Sequence, residues 1–162
     1  MKISPLFLFI FLLHQNGNAQ TFAFPPVKYA EVVGYTFNFT GNHEDQEDYI
    51  CNLKTKKFAR TVDQKKYVLS AAQITKLLTL LNDSNLYKDG EAGCFIPHHA
   101  FVFFNKNNRP VAYINICFEC DQTLPSHSRG PEVKYGALSD DGSKRLQIFC
   151  RSLGMPVKEN DN

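Results

Sequence analysis

The chain has 162 residues, 43% of them hydrophobic and 13% aromatic, which is enough to bury one core of its own. Its 18 basic residues nearly balance its 16 acidic ones. That balance argues against nucleic acid as a partner, because nucleic-acid-binding domains usually carry a strongly basic face.

Residues 1–19 have the three parts of an export signal. Lys2 supplies the positive charge, residues 5–13 form a nine-residue apolar core, and Ala19 is the small residue before the expected cleavage site. We therefore predict a mature protein that begins at Gln20, a single globular domain of residues 20–162 in the periplasm or outside the cell. The apolar core would extend about 14 Å as a helix, under half of a roughly 30 Å hydrocarbon layer, so no membrane span is expected after signal removal.

The first half of the mature chain shows strand patterns followed by a helix pattern. Residues 27–40 alternate in polarity, and residues 49–53 and 58–62 flank a lysine-rich connection, which predicts three strands. Ser70 is an expected N-cap for a helix that ends near Asn82. Its apolar stripe repeats with helical spacing: Ile74, Leu77, Leu78 and Leu81.

The second half contains a predicted hairpin and a second helix. Strands at residues 100–105 and 111–117 flank a turn-forming segment, and a long loop from residue 121 to about 138 follows. Ser139 is the expected N-cap of the last helix, which Gly154 and Pro156 end. The order βββ-α-ββ-α predicts an α+β fold, with an antiparallel sheet of about five strands and two helices on one face.

Five cysteines remain in the mature chain, so a monomer leaves at least one thiol unpaired. Cys150 lies on the apolar stripe of the last helix, and Cys51 shares a strand face with apolar neighbours. Both fit core packing, with a disulfide between the two as the alternative.

The other three cysteines are brought together by the predicted hairpin. If Phe104 pairs with Val111, His98 lies opposite Cys117 at the open end. The same register places two more cysteines there, which gives a cluster of four side chains: Cys94, His98, Cys117 and Cys120.

Three chemistries remain open for this cluster. Export favours a disulfide from Cys94 to Cys120 or Cys117, since an extended Cys117–Cys120 segment separates the two Cα atoms by about 10 Å, too far for a bond between them. A tetrahedral Cys3His site, with zinc as the candidate cofactor, fits if the chain turns after Cys117. Thiol catalysis, with a histidine lowering a cysteine pKa, is the third, although the C-x-x-C segment does not open a helix.

The segment also resembles a group of exported bacterial proteins that have no assigned activity. The residues that carry the likeness are Cys94, Pro97, His98, Cys117, Phe118, Glu119 and Cys120. The resemblance extends to residues 138–156 and covers about a third of the mature chain. The resemblance implies a bacterial source. It supports the interpretation of these residues as one cluster, but it does not indicate which of the three chemistries applies.

The long loop brings two further side chains into consideration, His127 and Arg129. Long loops are often functional, and this one would fold over the open end of the hairpin, so either side chain could face a ligand. We expect a small exported binding or structural module whose Cys/His cluster stabilises the hairpin. The alternative is a thiol-based or metal-dependent enzyme that uses the same cluster; the sequence lacks H-E-x-x-H, G-x-S-x-G and a phosphate-binding loop.

Overall fold

The computed structural model describes residues 24–38, 49–90, 95–127 and 136–157. The predicted signal peptide and its cleavage site, Ala19 and Gln20, lie outside these ranges, and so do Cys94 and Arg129. None of the helices within the described ranges is long and apolar enough to cross a membrane.

The described chain forms one five-stranded sheet, two α-helices and a short 3₁₀ helix. The strands are β1 (Glu31–Thr36), β2 (Tyr67–Val68), β3 (His99–Phe104), β4 (Pro110–Cys117) and β5 (Gln122–Pro125), and the helices are α1 (Ala71–Leu81) and α2 (Asp140–Ser152). The 3₁₀ helix is Ser84–Leu86. All neighbouring strands are antiparallel, in the order β2-β1-β3-β4-β5, which confirms the predicted α+β class.

Both predicted N-caps are present. The Ser70 hydroxyl accepts a hydrogen bond from the Gln73 N–H at 3.4 Å, and the Gln73 side chain in turn accepts one from the Ser70 N–H at 2.8 Å. This reciprocal pair is a capping box, and it satisfies donors that the first turn leaves unpaired. Ser139 caps α2 with a single bond, in which its hydroxyl accepts from the Gly142 N–H at 3.0 Å.

The sheet carries a buried layer on each face. Successive side chains of β3 belong to different layers, because side chains alternate between the two faces of a strand. Phe101 and Phe103 pack with the helices, and Val102 and Phe104 pack on the opposite side. The helix layer includes Leu77 of α1 and other buried residues of both helices. The opposite layer is covered by side chains of the segment between β1 and β2: Ile50, Cys51, Leu53, Phe58, Ala59 and Val62.

Two predicted strands are not strands in the structure, and two observed strands were not predicted. Residues 49–53 and 58–62 form only isolated bridges, Cys51 with Phe58 and Val62 with Phe37. The short strand β2 takes the outer position instead, and β5 lies inside the segment that was expected to be loop. Short edge strands give little periodicity to recognise, because two to four residues hold at most two positions per face.

Candidate ligand-binding site

A pocket of about 150 Å³ lies where β1 ends, β3 begins and the chain emerges from α2. This volume is below the roughly 300–1,000 Å³ usual for sites that hold drug-sized ligands, so it suits a group of only a few atoms. We call it the His98–His99 pocket. Its lining residues are Thr36, Phe37, Asp63, His98, His99, Phe118, Glu119, Pro156 and Val157.

His99 is the most buried polar residue of the lining, with 4% of its surface exposed. As the first residue of β3 it pairs across the sheet with Thr36, so the two side chains lie on the same face. Its Nε2 atom lies 2.7 Å from the Pro156 carbonyl oxygen, and its ring centre lies 5.0 Å from that of Phe118. These contacts fix the imidazole between the sheet and the chain that follows α2.

The protonation state of His99 follows from its surroundings. Burial lowers its pKa below the ordinary histidine value; the hydrogen bond to Pro156 opposes this shift and the neighbouring His98 adds to it. The ring is therefore neutral at neutral pH, and its single proton lies on Nε2, because a carbonyl oxygen can only accept.

This tautomer leaves the Nδ1 atom of His99 as a hydrogen-bond acceptor. Nδ1 is buried, and no group within the described part of the chain donates to it. A buried acceptor without a donor typically costs about 1–3 kcal/mol.

Asp63 gives the pocket a carboxylate held in a fixed position. The Thr36 hydroxyl donates to its Oδ2 atom at 2.6 Å, and the Asp63 N–H donates to the Thr36 carbonyl at 2.9 Å. Within the described ranges, no lysine, arginine or histidine lies within ion-pair distance of this carboxylate. Its second oxygen therefore remains available to accept from a ligand.

His98 and Glu119 complete the polar part of the lining. The Nε2 atom of His98 lies 3.9 Å from the nearer carboxylate oxygen of Glu119, which is an ion pair when His98 is protonated. Apolar side chains form much of the remaining wall, including Phe37, Phe118 and Val157. The pocket thus combines two carboxylates with apolar walls, an arrangement suited to a small cationic group.

Two cysteines of the predicted cluster lie beside this pocket: Cys117 ends β4, and Cys120 lies in the turn that joins β4 to β5. Strands β3 and β4 have the predicted register from His99 to Phe103, and a bulge at Phe104 pairs that residue with Pro110 instead of Val111. The chain turns directly after Cys117, where the Cys120 N–H donates to the Cys117 Sγ atom at 3.2 Å. Cys117 is fully buried and Cys120 half-buried.

Four of the five cysteines lie within the described ranges. Cys51, Cys117, Cys120 and Cys150 form no disulfide with one another. No group of three or more histidine, cysteine or acidic side chains within the described ranges is arranged to hold a metal ion. Cys94, the predicted partner in both alternatives, lies outside these ranges.

Cys51 and Cys150 are core residues, as the packing interpretation predicts. They belong to the two separate layers on opposite faces of the sheet, so the alternative of a disulfide between them is wrong. Burial raises the pKa of each thiol to about 12, which keeps both protonated and unreactive at neutral pH.

His127 lies away from the His98–His99 pocket. It follows β5, and its Nδ1 atom lies 2.8 Å from the Ser126 hydroxyl, which also accepts from the Tyr113 N–H at 2.9 Å. Tyr113 lies four positions before Cys117 on β4, about 13 Å along an extended strand. The expectation that His127 faces a ligand stays a prediction, and it would involve a surface other than this pocket.

In comparisons with known proteins, no family model, no curated protein and no solved structure matches this chain. The pocket must therefore be interpreted from its own residues. Sequence reasoning selected His98 and the adjoining cysteines but missed Thr36, Asp63 and Pro156. These three residues come from distant parts of the chain, and no local motif signals that they meet.

Proposed function

We propose that the protein is an exported binding module whose ligand site is the His98–His99 pocket. The observation that carries this proposal concerns two lining residues: an Asp63 carboxylate oriented by Thr36 and facing no described cation, next to a buried His99 whose Nδ1 atom has no donor within the described ranges. Proteins rarely leave buried polar atoms unpaired, so such a lining favours a bound group over a purely structural role.

The chemistry of the lining selects a ligand group that donates hydrogen bonds and carries positive charge. Asp63 and Glu119 supply carboxylate acceptors at the pocket lining. A primary ammonium has one positive charge and three donors, so it can contact both carboxylates. The apolar walls suit the carbon chain that bears the ammonium.

Ethylammonium chloride is a suitable probe because it presents one ammonium on a two-carbon chain. We expect it to raise the thermal unfolding midpoint of the protein of residues 20–162, because a ligand that binds only the folded state stabilises that state. Sodium propionate at the same ionic strength is the matched control, since it exchanges the ammonium for a carboxylate. An equal effect of both salts would contradict the proposal.

A pair of variants then locates the site. Asp63→Asn keeps an acceptor for the Thr36 hydroxyl but removes the charge, so it should abolish the stabilisation by ethylammonium. Glu31→Gln removes one carboxylate from an exposed position at the opposite end of β1 and should leave the stabilisation unchanged. The same response from both variants would mean that ethylammonium acts elsewhere.

The Cys/His cluster supports the pocket as a structural element in this proposal. Cys117 and Cys120 form the turn that presents Phe118 and Glu119 to the pocket, so a link from Cys94 to this turn would hold one wall in place. Exported proteins fold in oxidising surroundings, which favour a disulfide there. The alternative is a zinc ion held by these cysteines and His98. The full burial of Cys117 favours this structural role over thiol catalysis.

Intact mass and metal analysis of the exported protein distinguish the disulfide from the zinc site. A disulfide lowers the mass by two hydrogens and leaves no metal. Zinc gives one metal per chain, with loss of folding on chelation. Finding neither would contradict the structural role of the cluster without affecting the ethylammonium test.

A further inference from the structure

A second depression continues from the His98–His99 pocket along the same side of the molecule. It is wider, about 500 Å³, and more open to solvent. Three residues line both depressions, Thr36, Asp63 and Pro156, so the two are adjacent. The additional lining residues are Lys65, Tyr67, Arg151, Gly154 and Met155.

The two ends of this combined groove carry opposite charge. Glu119 lies at the end formed by the His98–His99 pocket, Asp63 lies where the two depressions join, and Lys65 and Arg151 lie at the other end. A cleft with acceptors at one end and cations at the other favours a ligand with the reverse arrangement of charges.

Lys65 and Arg151 keep their charge available to a ligand. The Lys65 Nζ atom lies 4.9 Å from the centre of the Tyr67 ring, and the Arg151 guanidinium donates to the neutral Gln147 amide oxygen at 3.3 Å. No acidic side chain within the described ranges forms an ion pair with either residue. An anionic group could therefore bind there without displacing an internal partner.

Chain geometry limits how far apart the backbone positions of Asp63 and Lys65 lie. Asp63 and Lys65 are two residues apart, so their Cα atoms can be separated by at most about 7 Å. A peptide of two or three residues has its terminal charges separated by a similar length of chain. The two charges of a free amino acid are on the same Cα and are closer together than the termini of a peptide.

We propose that the groove binds a short peptide with free termini in one orientation. Its terminal ammonium lies at Asp63 and Glu119, and its terminal carboxylate lies at Lys65 and Arg151. Apolar lining such as Phe118 and Met155 accommodates small apolar side chains. This inference rests on the proposed function of the His98–His99 pocket and extends it with a ligand class and a direction.

Three forms of one probe test the inference by calorimetry on the protein of residues 20–162. The probes are L-alanyl-L-alanine, its C-terminal amide, which lacks the carboxylate, and its N-acetyl derivative, which lacks the ammonium. We expect the unmodified dipeptide to bind roughly three- to tenfold more tightly than either modified form, as expected for partly exposed charged contacts. Free alanine should bind more weakly than the dipeptide, and equal binding would overturn the peptide class.

Variants assign each end of the peptide. Arg151→Gln and Lys65→Gln should each weaken the dipeptide toward the affinity of its amide and leave the amide itself unchanged. Lys144→Gln, which removes an exposed cation from the same helix as Arg151, should change neither affinity. An Arg151→Gln variant that binds the dipeptide as tightly as the unmodified protein would contradict the proposed orientation.

Failure of this inference is distinguishable from failure of the proposed function. If the amide binds as tightly as the dipeptide and both require Asp63, the ammonium site stands and the carboxylate end is wrong. If none of the ammonium-bearing probes binds, both proposals are wrong.

Discussion

His99 links the stability of the protein to pH. Its pKa is lowered in the folded state, so as pH falls below about 6.5 the unfolded chain takes up the proton before the folded protein does. Protonation of this side chain therefore favours unfolding, and its contribution to stability is retained above that pH. We expect the free energy of unfolding to fall between pH 7 and pH 5.

Denaturant unfolding at several pH values measures this dependence. The His99→Gln variant cannot take up the proton and should show a smaller fall over the same range. His127→Gln is the control, because His127 contacts Ser126 beyond β5 and lies away from His99. If the pH dependence is the same in the unmodified protein and in His99→Gln, the neutral buried imidazole is not present.

The described cysteines should differ in reactivity. Cys51, Cys117 and Cys150 are buried, whereas Cys120 is half-buried in the β4–β5 turn. In a Cys94→Ser background under reducing, metal-free conditions, we expect a thiol-specific alkylating reagent to modify Cys120 first in the native protein. Peptide mass mapping identifies the site, and all four should react in denaturant. Faster modification of Cys117 would contradict the described turn.

At the scale of elements, the first turn of α2 packs against the 3₁₀ helix through Gly142. A Cβ atom at this position would collide with the Leu86 carbonyl oxygen, so the glycine is required by close approach. Gly142→Ala should destabilise the protein by about 1–3 kcal/mol, although alanine is the better helix former. Denaturant unfolding measures the change.

Lys144→Ala is the matched control for this substitution. Lys144 lies on the same helix and is exposed, so its replacement should change stability by less than about 0.5 kcal/mol. A stabilising effect of Gly142→Ala would show that α2 and the 3₁₀ helix are not in contact at this point.

The predictability of each element followed the strength of its local signal. Both helices begin at the serines that the sequence selected, because a capping residue and a helical stripe lie within a few positions. The β3–β4 register was also predictable, since the β3 sequence is strongly apolar and the turn is short. The strands β2 and β5 were missed because their pairing depends on partners distant in sequence or on a tight turn.

The candidate site was predictable only in part, for the same reason. His98, Phe118 and Glu119 belong to the hairpin end that the sequence selected. Asp63 joins them only through Thr36, and Pro156 only through His99. Contacts between residues this far apart in sequence depend on the complete fold, which local patterns do not specify.

At the scale of the whole molecule, the predicted export signal can be tested by expression. Expression with the complete leader in a bacterial host should give a periplasmic or secreted product that begins at Gln20. N-terminal sequencing and intact mass identify that product. A cytoplasmic product that retains Met1 would contradict the predicted signal, and it would also remove the reason to favour a disulfide at the Cys/His cluster.

The central claim is that the His98–His99 pocket is a ligand site. Amide NMR spectra of the ¹⁵N-labelled protein of residues 20–162, recorded during titration with L-alanyl-L-alanine, test it most directly. We predict saturable shifts concentrated at Thr36, Asp63, His99 and Glu119, with none of comparable size at Ser126 or His127 beyond β5. Shifts spread evenly over the surface, or equal shifts in Asp63→Asn, would contradict the claim.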